Sequence, residues 1–354
     1  MTEPLVGGLF GLVDPAAENE RVQPDRPTPE FLRPPILLTV NARSAIRLLV
    51  EAVRPSAVWL PSYLCAALVD AVSGVALEWY PVGRDLRPEN LDWLDRTRPS
   101  DLVVVIDYFG FRQTELVAAA RGRGAFVLED ASQALLTAAA GEGADAVVFS
   151  PRKFVGAVDG GILRLRSPGA GFAELEAPPR EWWSMALKAS QRRAAFDRGV
   201  PDRGWYQIFR TVEASAPVGP YSMSRLSEAV LKTGIDYELV SGRRRSNYEV
   251  LADRLRALAL YPELPAGVVP LGFPIRLARR DRVRQSLFER QIFAPTHWPI
   301  DGVVPTVFAA SHDLAASILT LPCDQRYGSG DMERIADAVE AALSETRLVA
   351  EGRT

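Results

Sequence analysis

The chain reads as an α/β protein built on a doubly wound, mostly parallel sheet, followed by a smaller α+β C-terminal domain. Three observations carry this. β-rich apolar runs alternate with helix-patterned segments from Ile36 to Leu165, the pattern of strands joined by crossover helices. Val103 to Ile106 is apolar at every position, as a parallel strand covered on both faces should be. Chemically competent polar residues stand just after two of these runs, where open α/β sheets collect their ligands.

Taken in order, Met1 to Pro35 is rich in Pro, Glu and Arg, and Pro24, Pro27, Pro29, Pro34 and Pro35 prevent a continuous helix. Residues 1–35 are expected to form an arm that lies on a subunit surface or stays mobile. Residues 36–235 are expected to form the large domain. Ile36 to Val40 is its first strand, and Asn41 and Ser44 are candidate caps of a helix whose Ile46, Leu49, Val50 and Val53 share one face. Ala57 to Leu60 is the next strand, and Pro61 to Cys65 is expected to open a helix. Ala76 to Val82 and Leu102 to Tyr108 read as strands on either side of a helical segment around Pro88 to Asp95, and a helix follows from Thr114 to Ala120. The runs Ala125 to Leu128 and Ala144 to Phe149 end in Glu129-Asp130 and Ser150-Pro151-Arg152-Lys153; Gly160-Gly161 and the run Ile162 to Leu165 close the unit.

Residues 172–210 are helix-prone and carry Trp182, Trp183, Trp205 and Tyr206, an aromatic density that means core or subunit interface before it means ligand. A long helix interrupted near Gly234 and Gly242 leads into the small domain, residues 236–354. Its strands are Val268 to Leu277 and Ser317 to Leu321, its helices Asp281 to Arg290 and Gly330 to Leu343.

Composition excludes several classes. With 354 residues, 47% of them hydrophobic, the chain can bury a large core. A net charge of −3 from 41 basic and 44 acidic residues makes no case for nucleic acid or an anionic membrane. The cluster Arg243-Arg244-Arg245 reads as a solvated helix face. Cys65 and Cys323 form no C-x-x-C pair, and two histidines, His297 and His312, are too few for a metal cluster, so a reducing cytoplasm fits. The short apolar piece Leu5 to Val13 follows an acidic residue, unlike a signal peptide, and no apolar run reaches membrane-spanning length. The first strand is not followed by G-x-G-x-x-G, which argues against a dinucleotide oxidoreductase.

The stretch from Phe126 to Leu165 resembles the core of the DegT/DnrJ/EryC1/StrS family of pyridoxal-phosphate-dependent, fold-type I sugar aminotransferases. Asp130-Ala131-Ser132-Gln133, Phe149-Ser150-Pro151-Arg152-Lys153 and Asp159-Gly160-Gly161 match its segments in order and type. The resemblance continues loosely from about Ile36 to Leu343. It implies a cytoplasmic homodimer with active sites at the subunit interface, using pyridoxal 5'-phosphate and an amino-acid donor to aminate a nucleotide-linked keto sugar. Lys153 is then expected to hold the cofactor aldehyde as the internal aldimine and afterwards act as general base, with Asp130 on the pyridine nitrogen. Gln133 matches the position that contacts the ring hydroxyl, Ser150 a phosphate ligand, and Arg43-Ser44-Ala45 the phosphate loop, which assigns Ser44 and Ala45 to the cofactor. Cys65 stands where the family often has a ring-stacking aromatic, leaving Tyr63 as the candidate for stacking.

The resemblance is less complete further on. Pro220 and Ser222 replace the Asn and Arg of a Gly-x-Asn-Tyr-Arg-Met-Ser segment, so no contact is assigned there. Leu321-Pro322-Cys323 resembles the Leu-Pro ending. His297, in the loop Pro295 to Pro299, is balanced between a substrate contact and simple packing. The retained lysine argues against the family's dehydratases, which carry His there. The missing Asn, the altered stacking position and the short spacing from Asp130 to Lys153 keep a second class open, a non-catalytic member of the fold acting as a binding or regulatory partner.

Overall fold

A seven-stranded sheet organises the first half of the chain in the computed structural model, which describes residues 4–13, 28–167 and 171–351, with side chains through 345. The strands are β1 (Val6–Gly7), β2 (Ile36–Thr39), β3 (Ala57–Pro61), β4 (Ala76–Tyr80), β5 (Leu102–Ile106), β6 (Phe126–Asp130), β7 (Ala146–Phe149), β8 (Gly161–Leu165), β9 (Phe273–Arg276), β10 (Ile292–Phe293) and β11 (Ile318–Leu321). The large sheet runs β2-β8-β7-β6-β5-β3-β4. Strand β8 is antiparallel to both neighbours, and every other pairing is parallel. The sheet is therefore mostly parallel, as expected. One consequence matters for function: the carboxyl ends of β2, β3, β5, β6 and β7 all lie along one edge.

Helices follow these ends. Asn41 caps α1 (Ala42–Val53), its Oδ1 accepting from Ser44 N at 2.9 Å, and Ile46, Leu49 and Val50 are buried against the sheet. Ser44 is not a cap. Pro61 ends β3 instead of opening a helix, and α2 (Ala66–Ala71) starts only after Cys65. The segment expected to be helical before residue 95 forms only a short 3-10 turn, Asp92–Arg96. Next come α3 (Thr114–Gly122), the antiparallel pair α4 (Arg180–Asp197) and α5 (Gly204–Ala214), then α6 (Arg225–Thr233) and α7 (Tyr237–Leu255). The chain breaks at Gly234, as expected, but Gly242 lies inside α7 without interrupting it. Trp182 and Trp205 are buried, and Trp182 Nε1 donates to Val212 O at 3.0 Å, joining α4 to α5.

In the last third, β9 and β11 pair antiparallel, and α8 (Arg280–Glu289), α9 (Ala309–Ser317) and α10 (Ser329–Glu351) complete the chain. The strand expected from Val268 is confined to β9. An apolar cluster of Tyr248, Leu251, Phe273, Ile275, Leu319, Ile335 and Val339 forms the core here.

The N-terminal arm needs correcting. Val6 is 1% exposed and belongs to that same core, and β1 pairs in parallel with β10. Gly7 N donates to Tyr327 Oη at 2.6 Å, and Gly7 O accepts from Arg193 Nη1 at 3.0 Å. Further along, Phe31 and Leu32 are buried, Phe31 edge-on to Tyr237 at 5.3 Å. Apolar side chains with a place in the core outweigh the proline content on both sides of residues 14–27, which lie outside the described residues. Arg244 also departs from expectation: it is 0% exposed, where a solvated helix face was expected.

Candidate active site

The parallel register of β6 and β7 sets Asp130 beside Val148, so the acid and the segment after Phe149 leave the sheet together. Asp130 Oδ1 accepts from Ser132 N at 2.9 Å, which orients the carboxylate at the strand end. Ser150, 3% exposed, precedes a 3-10 turn, Pro151–Lys153, whose last residue is the lysine. Burial pulls the Lys153 pKa below its ordinary value, while the Asp130 charge opposes the fall. Acid and amine thus share one enclosure. The chain has three lysines, and the other two, Lys188 and Lys232, are exposed on helices.

Gln133 completes this wall. It is 2% exposed, and its Oε1 accepts from Phe109 N at 2.7 Å. Its Nε2 is buried without an acceptor. An orphan donor of that kind costs about 1–3 kcal/mol, so the site is short of one acceptor. The ring hydroxyl of pyridoxal phosphate would supply it, and a half-buried lysine that feels a carboxylate's charge fits the aldehyde and the ring nitrogen.

His297 arrives from the C-terminal half. Its Nδ1 bonds Thr320 Oγ1 at 2.8 Å, and its ring stands edge-on to Phe109 at 5.6 Å. Desolvation and the Lys153 charge pull its pKa down to about 3. The imidazole is therefore neutral at physiological pH and belongs to the surroundings of Lys153.

Three of the expected cofactor residues are placed as follows. Tyr63 is 0% exposed and packs between Tyr108 and Trp298, with centroids 5.8 and 5.6 Å away. It is a core residue. Cys65, just before α2, is half-exposed. The Ser44 and Ala45 amides are already used inside α1, bonded to Asn41 Oδ1 and Asn41 O at 2.9 and 3.2 Å. The Ser44 hydroxyl faces its own chain, accepting from Gly219 N at 3.3 Å. The segment around Pro220 likewise lies on its own β2 edge, where Val40 N donates to Tyr221 O at 2.9 Å.

A further group was not legible as such. Arg152 makes a two-pronged ion pair with Glu213 at 2.5 and 2.9 Å. Burial pushes the Glu213 pKa up, but Arg152 and Arg43 outweigh it and hold the carboxyl below its ordinary value. Arg43, half-buried at the start of α1, has no carboxylate partner among the described residues. Arg43 and Arg152 thus stand at one corner of the site, Arg152 paired with Glu213. The sequence signal was an arginine inside the expected phosphate loop.

No family model matches the chain, and no curated sequence does. Solved structures match over nearly its whole length. The chain has the fold of the fold-type I sugar aminotransferases, and its neighbours include chains solved in PLP and PMP forms. The aminotransferase TlmJ from Streptoalloteichus hindustanus superposes with a TM-score of 0.67 at 19% identity, covering 97% of this chain and 100% of that one. DesI, solved in the presence of its TDP-sugar product, gives 0.70 at 20% identity over 100% and 97%. A DegT DnrJ EryC1 StrS aminotransferase from Brucella abortus gives 0.62 at 17% identity over 94% and 91%.

Proposed function

We propose that the chain is a pyridoxal-phosphate-dependent aminotransferase that aminates a nucleotide-linked keto sugar, with an amino acid as donor. The observation that carries this is the enclosure shared by Lys153, Asp130 and the unpartnered amide of Gln133. Pyridoxal phosphate, when bound, supplies the electron sink that lets an α-proton leave. Lys153 would hold its aldehyde carbon. Once released, the Lys153 amine, whose pKa burial depresses, accepts the proton from the substrate carbon and returns it. Asp130 would keep a proton on the ring nitrogen, and Gln133 Nε2, unpartnered here, would donate to the ring hydroxyl. Ser150 and the corner of Arg43 and Arg152 would hold the phosphate. Phe109 and neutral His297 narrow the access of water.

The keto-sugar substrate is supported by the sequence resemblance and by the neighbour solved with its TDP-sugar product. The same resemblance supports a homodimer, with a large domain of residues 36–235 and a small one of residues 236–354. Free Cys65 and Cys323 suit the cytoplasm. No described helix is long and apolar enough to cross a membrane.

The test is direct. The protein is incubated with pyridoxal phosphate, reduced with borohydride and mapped by mass spectrometry; a pyridoxyl group is expected on Lys153. A panel of amino acids then identifies the donor by conversion of the bound cofactor, and a TDP-keto sugar by the mass of its aminated product. A wild-type chain that binds pyridoxal phosphate nowhere would sink this reading and favour a non-catalytic partner.

A further inference from the structure

The end of the turn that carries Lys153 is held from outside its own sheet. The carbonyl of Phe154 accepts from Gln325 Nε2 at 2.6 Å and from Arg244 Nη2 at 3.3 Å. Arg244 Nε donates to Gln325 Oε1 at 2.8 Å, and its Nη1 to the carbonyls of Pro270 and Leu271 at 3.0 and 3.1 Å. The guanidinium lies over the Phe154 ring, 4.5 Å from its centroid. It is 0% exposed, and no carboxylate pairs with it among the described residues. Burying such a charge is expensive, and an apolar side chain of similar volume would fill the space without that cost. What the guanidinium adds is its planar fork, which ties together segments distant in sequence: the turn of Lys153, the loop entering β9 and the loop after β11.

We propose that Arg244 and Gln325 are positioning residues for Lys153, fixing through the Phe154 carbonyl the direction in which the lysine leaves its turn; this rests on the reading of Lys153 as the cofactor lysine. The C-terminal half thereby keeps the amine in its enclosure beside Asp130. Neither residue touches substrate or cofactor.

The test uses the whole chain without cofactor. Reductive methylation of each lysine is followed against pH by mass spectrometry, with exposed Lys188 and Lys232 as internal references. In the wild type, Lys153 is expected to show a lower midpoint than the references. In Gln325→Ala and Arg244→Lys that midpoint should rise by about one pH unit towards them, a roughly tenfold change in amine fraction at neutral pH, with Lys188 and Lys232 unmoved. Unfolding would also raise the Lys153 midpoint alone, since Lys188 and Lys232 are already exposed, so the shift is read in variants whose denaturant midpoint matches the wild type. Should Arg244→Lys fail to fold, half-buried Gln325→Ala decides. A Lys153 profile that superimposes on the wild type in every folded variant overturns the proposal. Absence of a borohydride-trapped pyridoxyl group on wild-type Lys153 would defeat the cofactor reading instead, and the methylation profiles would still decide the positioning.

Discussion

Gln133 commits one end of its amide to the Phe109 peptide and leaves the other buried and unpaired. Such an imbalance is tolerated where a ligand completes it. Gln133→Ala should therefore weaken pyridoxal phosphate binding by about tenfold, the value of one hydrogen bond near 1.4 kcal/mol, as read by cofactor titration; unchanged affinity would remove Gln133 from the site. Lys153 has the harder task. Lys153→Ala should abolish the trapped adduct on that residue and lower turnover by at least about 10²-fold, the contribution of a general base. Circular dichroism should stay native, since the side chain has no hydrogen-bonded partner among the described residues to abandon. The strand-end positions of Asp130, Ser150 and Lys153 were readable because each of the two neighbouring strands shows in the local pattern. Tyr63 was ambiguous because a tyrosine at a strand end looks the same whether it faces a ligand or packs on other aromatics, and here it packs on Tyr108 and Trp298.

At the scale of elements, the turn between β7 and β8 does most of the positioning. Asp159, 1% exposed, accepts from Ser224 Oγ at 2.7 Å and Ser224 N at 2.9 Å, anchoring the start of α6. A Cβ on Gly161 would stand 2.2 Å from the Asn41 carbonyl carbon, so β8 and the start of α1 meet only because this residue is glycine. The Asp159-Gly160-Gly161 match thus has a physical basis in packing. Earlier in the same turn, a Cβ on Gly156 would lie 1.9 Å from Gly11 O, where the N-terminal segment crosses and Val13 N donates to Gly156 O at 3.1 Å. Gly156→Ala should force that segment away and cost about 1–3 kcal/mol, the range for overpacking. Denaturant unfolding measures this; an unaltered midpoint would mean that residues 4–13 can leave the turn at no cost.

For the whole molecule, His297 makes folding sensitive to acid. Its folded pKa of about 3 lies below the ordinary 6.5, so the unfolded chain takes up the proton first as pH falls. Stability is full above about pH 6.5 and declines towards pH 3, by at most about 1.4 kcal/mol per unit. Carboxyl groups titrate in part of the same window, Asp107 among them, its pKa raised by burial and by Glu129. The difference between the wild type and His297→Gln isolates the histidine: the variant should lose less stability between pH 7 and pH 5. Parallel curves would mean that the imidazole reaches solvent and protonates in the folded state.

The alternation of apolar runs was enough to place the seven strands of the large sheet, and with them Asp130 and Lys153 at the ends of two neighbours. Both are local properties: a buried strand must be apolar, and its end must carry whatever chemistry the sheet edge offers. Contacts between distant segments needed the fold. Phe154 meets Arg244 and Gln325 across 90 and 171 residues of chain, Arg152 meets Glu213 across 61, and Gly7 meets Tyr327 across 320. No periodicity spans such separations, and an arginine or glutamine on a helix face or in a loop looks solvated until the fold supplies its carbonyl acceptors. The N-terminal segment was misread for the same reason, since its apolar residues gain a core only when the last third of the chain has folded beside them.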